Sequence, residues 1–346
     1  MTSAVAALVR RYGETDFITG MRAFAALGVV LIHAGGAGLR EFGEIGDRLV
    51  LLGAMGVQAF FVISGFSVCH SLAHSATTGQ YFLKRFFRLL PPYYAALLLY
   101  AFMRGTTWDN VLAHVALIDW IWPEYSNRII SVEWTIPVEA FWYLLVPTLL
   151  ALAARGPVHC AIMVVIAFLS VHPLYAAARL VGVDRELFFH SPMANAFPFA
   201  VGVAAYCVRK HFPPASNAFA TAAIGFAVLI LSAHAVFGIG MPHIVAILAT
   251  GVVIIFGRGE AWIVRALLLN PVVLLVGTVS YSVYLLHVAV LMQLGPRITD
   301  PLQLFLATAV VSVAASCVTY LLIERPAIKL GSFCARALER RSLRAA

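Results

Sequence analysis

Arg22 and His33 stand eleven residues apart in the apolar stretch MRAFAALGVVLIHAGG. At about 100° per residue, eleven steps come within about 20° of three full helical turns, so both side chains leave one face, roughly 16 Å apart along the axis. A charged arginine at the centre of a membrane helix costs on the order of 2.5–3.5 kcal/mol on insertion scales. Ionisable groups there therefore turn inward and serve a pathway or a reaction. The blander alternative is an arginine snorkelling to the interface and a histidine satisfied by a core hydrogen bond.

Three further segments carry chemistry. Glu139 in WTIPVEAFWY is a carboxylate inside an apolar stretch, and a histidine with a carboxylate is what a general base and its orienting group would be. A structural polar contact between helices would look the same. KRFFRLLPPYY holds Lys84, Arg85 and Arg88, with Arg85 and Arg88 three apart on one face. With Arg22 they could bind phosphates through guanidinium forks; alone, they read as an inside-facing anchor. Ser64 in FFVISGF is a conceivable nucleophile, although Ser-Gly in a membrane helix more often permits close helix approach.

The elements that must position these residues follow from composition. The 346 residues are 62% hydrophobic and 12% charged, with a mean hydropathy of +0.90, which fits an all-α polytopic membrane bundle in one domain, 1–346. Hydropathy predicts ten spans, near 17–36, 49–72, 86–103, 136–154, 158–178, 192–208, 218–237, 241–257, 272–294 and 302–323. Pro91, Pro92, Pro137, Pro147, Pro173 and Pro198 predict kinked or broken helices. A short N-terminal segment, 1–16, precedes the first span without the look of a cleaved signal peptide, and a basic tail, 325–346, follows the last. The tryptophan-rich segment 104–135 reads as a long external loop with an interfacial or re-entrant piece near 110–122.

Sixteen of the 24 Lys and Arg residues fall at the ends and in the even loops, seven in the odd loops, and Arg22 alone within a span. Both termini are therefore expected in the cytoplasm, as ten spans also require. The tail reads as a lipid-headgroup anchor, with no nucleic-acid partner expected. Cys69, Cys160, Cys207, Cys317 and Cys334 fall in spans or on the inner side, so no disulfide is expected. His70 and His74 are four apart but interfacial, and no metal site is expected. The first span runs outward and the fourth inward, which sets Glu139 at a depth similar to His33.

Arg22 and His33 as R-x10-H, FFVISGF at 60–66, R-x-x-R-x-x-P at Arg85, Arg88 and Pro91, Glu139 and Tyr143 in WTIPVEAFWY, GTVSYSVYLLH at 277–287 and IERP at 323–326 occur in this order along the chain. Together they resemble the acyltransferase family 3 integral membrane proteins, here with Trp142 where the family's E-x-x-F-Y element has phenylalanine. The resemblance implies ten spans and transfer of an acyl group, typically acetyl, from cytoplasmic acyl-CoA to a hydroxyl of a carbohydrate or other acceptor, often a cell-surface glycan. Acyl-CoA would be a substrate, with no permanently bound cofactor. Some relatives carry a fused external esterase-like domain. The short remainder after the tenth span leaves the acceptor to the membrane domain or to a separate external partner.

On this reading Arg85, Arg88 and Arg22 would hold the phosphates of coenzyme A at the inner mouth. His33, oriented by Glu139, would take the acceptor's proton or be acylated itself. Tyr281, Tyr284 and His287 could donate to the oxyanion or the acceptor, with packing as the alternative. A competing class is a secondary transporter or flippase, which predicts substrate flux without acyl-CoA, but no inverted repeat is evident. Absence of an N-x-[ST] sequon and of external cysteines is compatible with a bacterial inner membrane.

Overall fold

The computed structural model describes residues 15–212, 216–257 and 261–345. Arg10, Arg11 and Arg258, used in the charge count, lie outside the described residues, as do the side chains of Arg340, Arg341 and Arg344. Described residues form helices and connecting turns with no strand. The helices are α1 (Asp16–Ala34), α2 (Gly36–Arg40), α3 (Gly43–Ala54), α4 (Gly56–Ala73), α5 (Thr78–Arg104), α6 (Trp108–Val115), α7 (Thr135–Ala153), α8 (Pro157–Leu180) and α9 (Arg185–Phe189). They continue as α10 (Ala196–Arg209), α11 (Asn217–Phe237), α12 (Pro242–Phe256), α13 (Trp262–Leu267), α14 (Pro271–Thr278), α15 (Ser280–Leu294), α16 (Pro301–Thr319) and α17 (Arg325–Ala345).

Seven helical stretches are long and apolar enough to cross a membrane: α1, α3 with α4, α5, α7, α8, α11, and α16 running on into α17. The pair α14–α15, bent by 74°, makes an eighth when taken as one broken span. The helices at the other two predicted positions, α10 and α12, have only 14 and 15 residues, short of the roughly 20 that a hydrocarbon core demands. α10 packs against α4, α8 and α12, so it is walled by protein, where a short helix leaves little backbone facing lipid.

The breaks do not follow the prolines. Pro91, Pro92, Pro147 and Pro173 lie inside unbroken helices, and Pro137 and Pro198 lie in first turns, where proline removes no intrahelical hydrogen bond. The sharp bend falls at Val279, between Thr278 and Ser280, in a segment without proline. Helix α5 begins eight residues before the predicted span. Thr77 caps it by accepting from Gln80 N at 3.2 Å, and its polar first turns pack on α17.

Segment 104–135 folds back onto the bundle through α6 and a 3-10 turn, Asp119–Ile121. His114, Asp119 and Glu133 are each fully buried there. Glu133 accepts from Ile129 N (2.7 Å), Val132 N (2.9 Å) and His114 Nε2 (3.1 Å). His114 Nδ1 faces Asn110 O at 2.9 Å, so both ring nitrogens meet acceptors and the ring is held as an imidazolium. Burial opposes that charge, but contacts led by the hydrogen bond to Glu133 together outweigh it and raise the histidine above its ordinary value. Burial likewise opposes the charge of Glu133, yet the donors around it hold its carboxyl below the usual range. Asp119, 3.8 Å from His114, has no hydrogen-bond partner among the described residues, and burial pushes it up to about 7. This cluster braces a loop in which Leu117, Asn127 and Ser131 all take positive φ.

Candidate active site

Two helices set the frame. In α4 the FFVISGF segment lies against α10, where a Cβ on Gly65 would come within 2.4 Å of Phe199 O and one on Gly202 within 2.1 Å of Val62 O. Only glycine at both positions allows this approach. The Ser-Gly pair thus has the helix-packing role weighed above. The same contact leaves another side of α4, with Ser64, Ser67 and Phe60, lining a pocket between α1, α5, α7 and α15.

That pocket encloses about 740 Å³, counting its open mouth. Arg22, Arg85, Arg88, Glu139, Ser64, Tyr281 and Tyr284 all line it. Seven of the nine residues picked out from sequence therefore converge on one space from five helices. Each guanidinium is held at one nitrogen: Arg22 Nη2 donates to Ser67 Oγ (2.8 Å), Arg85 Nη2 to Ser71 Oγ (3.0 Å), and Arg88 Nη1 meets Glu324 Oε1 (2.5 Å). An arginine fork carries five N–H donors, so these tethers fix the forks while leaving donors for a ligand. Ser67 and Ser71, which hold the first two, were not singled out from sequence. Ser64, Ser67 and Ser71 fall at i, i+3 and i+7, a polar stripe on a largely apolar helix, and that periodicity was the available signal.

Glu139 does not pair with His33. Its Oε2 accepts from Tyr143 Oη at 2.8 Å, and Ser64 Oγ lies 3.0 Å from the same phenol. A phenol has one proton, so the order is Ser64 to Tyr143 to Glu139, each donating to the next. The carboxylate thus faces the arginine pocket, where it offsets part of the positive charge. The i, i+4 spacing of Glu139 and Tyr143 sets the bond within α7.

His33 pairs instead with His287, Nδ1 to Nε2 at 2.8 Å, with the rings stacked at 5.0 Å between centroids. His287 is fully buried, and its Nδ1 lies 2.7 Å from Tyr284 O, an acceptor, so that nitrogen carries the proton. In a neutral ring Nε2 then has the lone pair and must accept from His33 Nδ1. The remaining nitrogen of His33, Nε2, is left with a free lone pair on a residue that is exposed at one edge. Neither histidine lines the arginine pocket. Tyr284, which lines the pocket three residues before His287, packs towards both, edge-on to Phe60 (5.9 Å) and tilted to His287 (6.0 Å).

The tyrosines are not free donors to an oxyanion. Tyr281 Oη donates to Leu89 O (2.8 Å) and Tyr284 Oη to Val132 O (2.8 Å), which commits each single phenolic proton to backbone. They act as walls and as ties between α15, α5 and the loop before α7. Thr135 joins the second tie, with Oγ1 3.2 Å from Tyr284 Oη.

A family model described as "Acyltransferase domain" matches residues 15–323. Among curated proteins, the acyltransferase MdmB of Streptomyces mycarofaciens is 24% identical over 156 residues, covering 41% of this chain and 40% of that protein. The matched stretch thus spans less than half of that relative's length. No solved structure matches.

Proposed function

The chain belongs to this acyltransferase family, and from that premise we propose that it is a membrane acyltransferase that moves an acyl group, acetyl in the simplest case, from cytoplasmic acyl-CoA to a hydroxyl of a carbohydrate acceptor such as a cell-surface polysaccharide. The observation that carries the proposal is the convergence of Arg22, Arg85 and Arg88 on one pocket, which is also lined by Tyr284, three residues before His287 of the His33–His287 pair in helix α15. Guanidinium forks suit the phosphates of coenzyme A. In the proposed pose its pantetheine arm would run past Tyr284 and Phe60 to bring the thioester near His33.

In the proposed reaction His33 Nε2 takes the proton of the acceptor hydroxyl as its oxygen attacks the thioester carbonyl. The C–O bond forms, the C–S bond breaks, and the departing thiolate of coenzyme A recovers a proton. His287, fixed by Tyr284 O, holds His33 in the tautomer this needs and stabilises the imidazolium that forms, the orienting part first ascribed to Glu139. Glu139, Tyr143 and Ser64 set the arginine side of the pocket. Membrane lipids surround the bundle, and the bacterial inner membrane is the setting we propose.

Purified protein in lipid nanodiscs, supplied with isotopically labelled acetyl-CoA and a candidate glycan, tests this directly. Mass spectrometry is expected to find label on a glycan hydroxyl and free coenzyme A released in equal amount. Substrate flux across vesicles without thioester consumption would overturn the reading.

A further inference from the structure

Glu324 belongs to IERP, a motif that no step above uses. It sits at the end of a π-helical turn, Tyr320–Glu324, that joins α16 to α17, and it is fully buried. Such turns are uncommon and cluster where a side chain must be re-aimed at a site. Here the widened turn brings one carboxylate against two partners from different helices. Oε1 meets Arg88 Nη1 of α5 at 2.5 Å, and Oε2 accepts from Ser282 Oγ of α15 at 2.9 Å. Oε2 is hydrogen-bonded, and Oε1 is held by the ion pair alone, with no hydrogen bond among the described residues. Arg88 lines the pocket while Glu324 does not. The backbones are close as well, since a Cβ on Gly331, seven residues on in α17, would lie 2.6 Å from Phe87 Cβ, next to Arg88.

We propose that Glu324 is a positioning residue for the donor site: clamped by Ser282, it holds one edge of the Arg88 guanidinium so that the other edge faces the pocket and meets a phosphate of the acyl donor. This rests on the donor reading given above. A buried carboxylate opposite an arginine is also explained by charge compensation alone, and the two accounts differ in what they predict. Under compensation, removing the negative charge frees Arg88 and strengthens anion binding. Under positioning, it loosens the fork and weakens binding, because the geometric fit of a guanidinium to a phosphate is lost.

The test is steady-state kinetics of the full chain in nanodiscs with two donors, acetyl-CoA and acetyl-pantetheine, which lacks the nucleotide phosphates. E324Q keeps the shape and removes the charge. We expect its KM for acetyl-CoA to rise about tenfold, the loss of one charge-assisted hydrogen bond, with kcat changed less than about twofold and acetyl-pantetheine kinetics unaltered. S282A leaves every charge in place and is expected to raise the same KM about threefold, so a folding defect in E324Q would not shelter the idea. In an R88A background the E324Q effect should vanish, as a double-mutant cycle requires of a residue acting through another. An unchanged or lowered KM in E324Q, an equal effect on both donors, or additivity with R88A would overturn the proposal while wild-type turnover leaves the donor reading intact. Absence of wild-type turnover with acetyl-CoA would remove that reading and this proposal with it.

Discussion

At the scale of single residues, the His33–His287 pair makes the sharpest commitment. If His33 Nε2 is the base, H33A should lower acyl transfer by at least about a hundredfold, the usual contribution of a positioned base, with donor binding intact. Turnover of the labelled-donor assay at the wild-type rate would remove His33 from the reaction. His287 touches His33 rather than the pocket, so H287A should reduce kcat by a smaller factor, about tenfold, and leave KM for the donor alone. The arginines predict the converse. R85A with R88A deletes two forks from the pocket and should weaken coenzyme A binding by about a hundredfold or more, measured by calorimetry in nanodiscs, since hydrogen bonds to charged groups contribute about 1.5–3 kcal/mol each. Unchanged affinity would place the phosphates elsewhere.

At the scale of elements, what could be read in advance tracks how local the cause is. Arg22, Arg85 and Arg88 were legible because charges in apolar stretches are costly, and a residue kept at that cost points inward wherever its helix sits. The partner of His33 was not legible. Depth alone matched it to Glu139, but partnership also depends on which faces meet, and the 74° bend at Val279 swings His287 of α15 onto α1. That bend has no proline to announce it, whereas the prolines that seemed to mark breaks sit in first turns or in helices that run on through them. The SGF motif shows the opposite case, a local signal with a long-range meaning. Gly65 and Gly202 let α4 and α10 touch backbone to backbone, so G65V should cost about 1–3 kcal/mol of stability through overpacking, seen as a lowered Tm in detergent. A Tm equal to wild type would mean the helices do not approach so closely. The buried loop cluster extends the argument to pH. Asp119 keeps its proton to about 7 in the folded loop but loses it near the ordinary carboxylate value when unfolded. The folded state therefore holds more protons in between, and the stability this confers is full in acid and is lost as pH rises towards 7. D119N should flatten that decline. A wild-type Tm that climbs from pH 5 to pH 8 would contradict the assignment.

At the scale of the whole molecule, the proposal requires the arginine pocket to open towards the cytoplasm, because that is where acyl-CoA would be found. The charge bias of the loops predicts this, with Lys84 and Lys329 on the inner side and the 104–135 loop outside. The dimensions of the longest helix agree with it. Measured at about 1.5 Å per residue from Pro301, Glu324 lies about 35 Å along α16 and its π turn, close to the roughly 30 Å thickness of a hydrocarbon core. Glu324 meets Arg88, so the pocket's charged end falls at the inner interface if Pro301 is at the outer one. From Arg88 to Arg104, at the other end of α5, is a further 24 Å or so, which carries that helix up to the loop that holds the Glu133–His114 cluster. A sidedness measurement separates this arrangement from its inverse. In a cysteine-free background, a single cysteine at Trp108, which is 75% exposed, should react with a membrane-impermeant maleimide added to intact cells. One at Lys329 should react only after permeabilisation. The reverse pattern would turn the arginines away from the cytoplasm and leave a cytoplasmic thioester with no cationic mouth to enter. The same side chains could then serve only an anion arriving from outside.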